Sequence, residues 1–304
     1  MTFLGDAIVY IIILAIAFWI LKKKDAIIAI YVLLTASFLN FFLKVVIHKY
    51  RPTVRLESYK EATGFSTPSG HAQTSTTVYG WIMFYFKKIW LYVVIPILVV
   101  LICISRVFLG VHFIGDVILG LLIGAAVLTA LFFGIPPLVQ WLDKLKDWQK
   151  ILIGESYAVV VFLMTFLTGY YANWPVSLDP TVNLAINTAD TVAALILFPL
   201  FIWIENKKIG MKNEGIDWRS KLLRVVVGLV VLVGAYLGLS VLFDKIPSWG
   251  YGLDYLFRFI KYGLLIAILG LLMPFIFTRV KWFSLEKKQS EEMVEETETA
   301  EPTS

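Results

Sequence analysis

Three short stretches of the chain gather side chains that could do chemistry together: Lys44 with Arg51-Pro52, Pro68-Ser69-Gly70-His71, and Ser105-Arg106 with His112 and Asp116. Two imidazoles, one carboxylate, a hydroxyl and three cations are the parts needed for phosphoryl transfer through a histidine. One imidazole can attack phosphorus, the other can carry a proton, and the cations match a phosphate's charge.

His112 and Asp116 stand at i and i+4 where a helix begins, so their side chains share a face and the carboxylate can accept the Nδ1 proton. Nε2 is then left to attack. A pair of this kind can also do no more than cap the helix. Arg106 is separated from His112 by a turn containing Gly110, which would fold the guanidinium back over the imidazole; standing alone, it reads equally as a snorkelling anchor. In the run from Gly64 to His71, a polar turn leads into an apolar helix and Pro68 suits the first helical position. The unpaired N–H groups of such a start form an anion cradle. Ser69 would add a donor, Gly70 would let the backbone approach a phosphate oxygen, and His71 would protonate a leaving alkoxide or phosphate. Lys44 and Arg51 flank the same loop and in isolation could be surface anchors. His48, Lys49, Arg55 and Lys60 enrich that loop in charge and read as anion attraction or headgroup contact.

These stretches must be positioned by membrane helices. Of the 304 residues, 59% are hydrophobic and 16% charged, and mean hydropathy is +0.80, far outside the range of soluble domains. Runs apolar enough to cross about 30 Å of hydrocarbon fall near 4–21, 26–43, 72–86, 89–108, 112–134, 151–172, 189–205, 222–243 and 255–278. The expectation is an all-α polytopic bundle of about nine transmembrane helices. Its first span is read as permanent, because Met1 to Asp6 lacks the basic start of a signal peptide. The third span opens with Gln73, Thr74, Ser75, Thr76 and Thr77, so its first turns should face a packed or wet interior. The lone Cys103 is read as a packing residue.

Cations outside the motifs cluster at Lys22–Lys24, Lys87–Lys88, Lys144–Lys150, Lys207–Arg224 and Arg279–Lys288. With nine spans all of them fall on one side, which the positive-inside rule makes cytoplasmic. All three motif stretches then meet at the outer face. The net charge of +5 follows from topology, and a nucleic-acid partner is not expected. Four regions are expected: a catalytic membrane domain over 1–134, a cytoplasmic connector over 135–150, an additional helical region over 151–284, and an acidic disordered cytoplasmic tail over 285–304. Within the third, Asp190, Arg258 and Lys261 are intramembrane charges, each a functional candidate or a snorkelling group.

Taken together, Lys44-x6-Arg51-Pro52, Pro68-Ser69-Gly70-His71 and Ser105-Arg106-x5-His112-x3-Asp116 resemble the three-part motif of the type 2 phosphatidic acid phosphatase superfamily, complete and in order over about residues 26–134. The resemblance implies that Lys44, Arg51, Ser69, Gly70 and Arg106 hold phosphate, that His71 is the general acid, and that His112 is the nucleophile with Asp116 its partner. It implies a phosphohistidine route without metal or other cofactor, acting on a lipid phosphate whose tails stay in the bilayer. Members usually carry six core helices, whereas five spans are complete here by residue 134. Phosphatidate, phosphatidylglycerophosphate and polyprenyl diphosphates all qualify as substrate. A phosphotransferase using the same histidine, or a lipid flippase, is the alternative, and oligomeric state is not legible.

Overall fold

The computed structural model describes residues 2–5, 7–52, 64–171, 180–243 and 245–285, and among these every regular element is helical. In chain order they are α1 (Ala7–Ile20), α2 (Lys23–Ile47), α3 (Gly70–Phe86), α4 (Leu91–Phe108), α5 (Ile114–Asp143), α6 (Asp147–Tyr171), α7 (Pro180–Asn187), α8 (Ala189–Ile204), α9 (Trp218–Phe243), α10 (Tyr251–Ala267) and α11 (Met273–Arg279). A π-helical turn over Ile268–Leu272 joins α10 to α11, so 251–279 runs as one segment. Of the tail predicted over 285–304, Leu285 is buried and its carbonyl accepts the Asp217 N–H at 2.9 Å, whereas residues from 286 onward, like Arg55 and Lys60, lie outside the described residues.

Each of the nine predicted spans finds a helix, and seven helical segments are long and apolar enough to cross a membrane. The other two, α1 and α3, have 14 and 17 residues, fewer than the roughly 20 that a span needs. Both are wrapped by longer helices: Ala15, Phe18 and Trp19 of α1 and Gln73, Ser75 and Thr77 of α3 are fully buried. Large apolar side chains instead face outward on the long helices, with Phe133 70% and Val230 69% exposed. This inversion of the soluble pattern makes the molecule a multi-pass membrane protein. The helix expected to end at 134 continues to Asp143, so only 144–146 separate α5 from α6. Its hydropathy falls before its hydrogen bonding does, because Pro136 and Pro137 sit within the helix without ending it.

Close approach of α5 to α3 sets the site. A Cβ on Gly120 would stand 2.7 Å from Ser69 O, and one on Gly124 would stand 2.6 Å from Gln73 O. Small residues spaced by four let two helix backbones touch. Thr77 Oγ1 then donates to Gly124 O at 3.3 Å. The second half of the chain closes the bundle: α8 packs on α2, α6 and α10, and α9 packs on α1. Asp190 and Arg258, expected either to function or to snorkel, pair with each other at 3.1 Å and tie α8 to α10. Lys261 lies over the Tyr236 ring, 5.7 Å from its centroid.

Candidate active site

The carboxyl end of α2, the amino end of α3, the turn between α4 and α5, and the first turn of α5 converge at one end of the bundle. Gly110 makes that turn tight: it adopts φ +67°, a conformation cheap only without a side chain. Val111 N–H then closes onto Arg106 O at 3.3 Å, placing His112 just before α5. Both Arg106 and His112 are buried, at 3% exposure each.

Asp116 organises the centre and is itself fully buried. Its Oδ2 accepts the Phe113 N–H at 2.9 Å, so the carboxylate does cap α5. Capping is only part of its bonding. Oδ2 also accepts the Ser66 hydroxyl, and Oδ1 accepts Thr67 Oγ1 at 2.5 Å and Lys49 Nζ at 2.9 Å. His112 Nδ1 lies 3.8 Å from Oδ2, beyond direct hydrogen bonding, while Ser66 Oγ lies 3.3 Å from Nδ1. The expected imidazole–carboxylate contact is therefore bridged by Ser66. Sequence reasoning did not single out Ser66 or Thr67, and it read Lys49 as a loop charge. They stand 50, 49 and 67 residues from Asp116, a distance that no helical spacing reports.

On the other ring nitrogen, Arg51 Nη1 approaches His112 Nε2 at 3.2 Å. An arginine can only donate, so Nε2 is the unprotonated nitrogen and the neutral ring carries its proton on Nδ1, toward Ser66 and Asp116. Burial pushes the His112 pKa down to about 3; the nearby Asp116 carboxylate opposes this, and the charges of Arg51, Lys44 and Arg106 reinforce it. The imidazole is neutral at physiological pH.

Arg51 also donates to Gly64 O at 3.0 Å and to Val111 O at 2.9 Å, stitching the α2–α3 loop to the α4–α5 turn. Lys44, buried at the end of α2, donates to Phe65 O. Ser69 occupies the N-cap position of α3, yet its hydroxyl makes no cap bond. Ser69 Oγ is buried without a hydrogen-bond partner among the described residues, while its N–H donates to Asp116 O at 2.9 Å. A buried hydroxyl in that state costs about 1–3 kcal/mol and fits a site where a ligand oxygen completes the bonding. Gly70 has a structural reason of its own: a Cβ there would meet Asn40 Oδ1 at 3.1 Å. Asn40 in turn donates to Gln73 Oε1 at 2.8 Å, and Gln73 donates to Ala36 O at 3.2 Å, fixing α3 to α2. His71, on the first turn of α3, borders a cavity on the side of α1, where a Cβ on Gly5 would stand 2.6 Å from its ring.

The lysine-rich end is bonded differently. Arg224 donates to Phe283 O at 2.7 Å, Lys212 O at 2.9 Å and Asn213 Oδ1 at 3.0 Å, and Glu205 holds Lys23 at 2.6 Å and Met211 N at 2.7 Å.

A membrane-embedded helical bundle with this histidine, serine and arginine cluster defines a class, and comparison with known families places the chain in it. Residues 25–138 match the PAP2 superfamily, residues 190–288 match the PAP2 superfamily phosphatase transmembrane extension, and the chain belongs to the PAP2 superfamily. Over 143 residues it is 33% identical to phosphatidylglycerophosphatase B of Bacillus subtilis (strain 168), an alignment covering 44% of this chain and 66% of that protein, just under two thirds of its length. No solved structure matches the chain.

Proposed function

We propose that the chain is an integral-membrane lipid phosphatase that hydrolyses a phosphoric ester or diphosphate of a phospholipid or polyprenyl lipid through phosphorylated His112. The observation that carries this reading is the His112 ring, held neutral with Nε2 against Arg51 and Nδ1 against the Ser66–Asp116 pair. The name of the Bacillus relative adds phosphatidylglycerophosphate to the substrates to be tried first.

In the first step Nε2 attacks phosphorus, a P–N bond forms, and the bond from phosphorus to the lipid oxygen breaks. Lys44, Arg51 and Arg106, with the Ser69 hydroxyl and the α3 amino end at Gly70, take up the phosphoryl oxygens. Arg51 exchanges Nε2 for a phosphoryl oxygen as the ligand enters. The phosphorylated ring is cationic, and Asp116 steadies it through Nδ1 and Ser66. His71 gives its proton to the departing lipid oxygen, then accepts one from the water that cleaves the P–N bond, releasing phosphate. The lysine-rich loops support a cytoplasmic location for their own end and an outer-face location for this site.

Phosphate release by detergent-purified protein, with chelator present, tests the reading across phosphatidate, phosphatidylglycerophosphate and a polyprenyl diphosphate. Wild type is expected to turn over at least one lipid, and His112→Ala to lose about a thousandfold or more. Acid-labile, base-stable phosphate should appear on the wild-type chain alone. Equal release by the variant would overturn the reading. Impermeant thiol labelling of Tyr50→Cys and Lys207→Cys in intact cells tests sidedness, and only the first should react.

A further inference from the structure

A cavity of about 380 Å³ lies between the two halves of the chain, with walls from α1, α2 and α3 and from α7, α8, α9 and α10. Its two ends differ in chemistry. At the active-site end stand Asn40, Gly70 and His71, facing Asn187, Thr188 and Asp190; farther in, the walls are apolar, including Ile30, Leu33, Phe198, Leu232 and Leu265. From Asn40 to Ile30 along α2, and from Thr188 to Phe198 along α8, it runs about 15 Å at the helical rise. Protein interiors are close-packed with few voids, and a volume in the roughly 300–1,000 Å³ range is that of a ligand site.

We propose that this cavity holds one hydrocarbon tail of the substrate, and that the transmembrane extension contributes the wall that selects tails by length. The inference rests on the lipid-phosphatase reading and adds the extension's part in it. Gly70 and His71 join the two compartments. Ser69, one residue before, is bonded to Asp116 O, and Gly70 and His71 border the polar end of the cavity. A phosphate held between Ser69 and His112 therefore sends its ester oxygen and tail out past His71. That is where the leaving oxygen needs a proton, and the same geometry explains why the acid stands on the cavity side while the nucleophile stands on the other. The Asp190–Arg258 pair, with Arg258 over the Tyr262 ring at 5.2 Å, holds α8 against α10 at this rim. Tyr262 and Asp190 both line the cavity.

Photocrosslinking tests the occupant without needing turnover. A lysophosphatidic acid carrying a diazirine at the end of its acyl chain is irradiated with full-length His112→Ala protein in detergent micelles. Crosslinks are expected within 189–204, 218–243 and 251–267, on the cavity-lining faces. Labelling confined to outward residues such as Leu122 and Val230 would overturn the proposal. In parallel, Ala194→Phe fills the cavity from α8, away from the reacting groups. It should lower kcat/KM for long-tailed lipid phosphates by about tenfold or more, while hydrolysis of water-soluble p-nitrophenyl phosphate and the melting temperature stay at wild-type values. Equal loss on both substrates, or on neither, would also overturn it. If the wild type hydrolyses neither substrate, the phosphatase reading falls and the crosslink map alone decides whether a tail occupies the cavity.

Discussion

The bundle holds two buried polar clusters, one at each end, and they are completed in different ways. At the lysine-rich end the donors of Arg224 finish on backbone carbonyls and Asn213, the Asn213 amide donates to Phe18 O and Leu21 O, and Glu205 is filled by Lys23 and Met211. Each of these bonds ties the second half of the chain to α1, α2 or its own connections. At the motif end a comparable set of charges surrounds a buried hydroxyl with no hydrogen-bond partner among the described residues and a ring nitrogen whose lone pair faces the Arg51 guanidinium. The first arrangement spends polar groups on shape; the second keeps bonding capacity for something that arrives later.

The largest effect that would sharpen this contrast is on stability at the lysine-rich end. Arg224→Met strips the bonds to Phe283 O, Lys212 O and Asn213 at once and should cost about 3 kcal/mol or more. Thermal melting in detergent would register the loss, while kcat per folded molecule stays near wild type. A large fall in kcat with unchanged melting would break the division between the ends.

Ser66→Ala acts at the other end and in the opposite currency. Without the hydroxyl that bridges His112 Nδ1 and Asp116, the neutral tautomer loses its orientation, and kcat should fall about thirtyfold, equivalent to about 2 kcal/mol. An unchanged kcat would show that the 3.8 Å imidazole–carboxylate separation suffices without a bridge.

Ser69→Ala separates the two kinds of cluster most directly. Because Ser69 Oγ has no partner among the described residues, its removal should leave the melting temperature unchanged or raised. The kcat/KM for a lipid phosphate should still fall about tenfold. Lower stability together with unchanged kinetics would make this serine an ordinary capping residue.

What could be read from the chain follows the range of the forces involved. Helices were legible because hydropathy and hydrogen bonding are local; α5 ran past its expected end only because prolines inside a membrane helix need not stop it. His112, Asp116, Arg106 and Ser69 were legible because motif spacing puts them on helix ends. The Ser66 bridge, the Thr67 and Lys49 bonds to Asp116, and the Asn40–Gln73 pair that explains Gly70 were not. They join stretches brought together only by the packing of α5 on α3. No motif was legible in the second half, where the described side chains bond mainly to carbonyls and to each other and present apolar faces to the first half.

The two ends also differ in their electrostatics, and pH tests that difference. The His112 pKa lies near 3 in the folded protein, chiefly through burial, and an unfolded histidine titrates near 6.5. Between these values the unfolded chain binds more protons, so folding stability must fall as pH drops through this window, by at most about 1.4 kcal/mol per pH unit from this one group. Above about pH 6.5 the contribution is flat. Melting curves in detergent from pH 7 to 4 should therefore fall more steeply for wild type than for His112→Gln, which has no imidazole to charge. Arg224→Met, although less stable throughout, should run parallel to wild type, because the arginine it removes stays charged across this range. Parallel curves for wild type and His112→Gln would mean that folding leaves the ring's pKa at its ordinary value of about 6.5, and that burial does not hold it neutral.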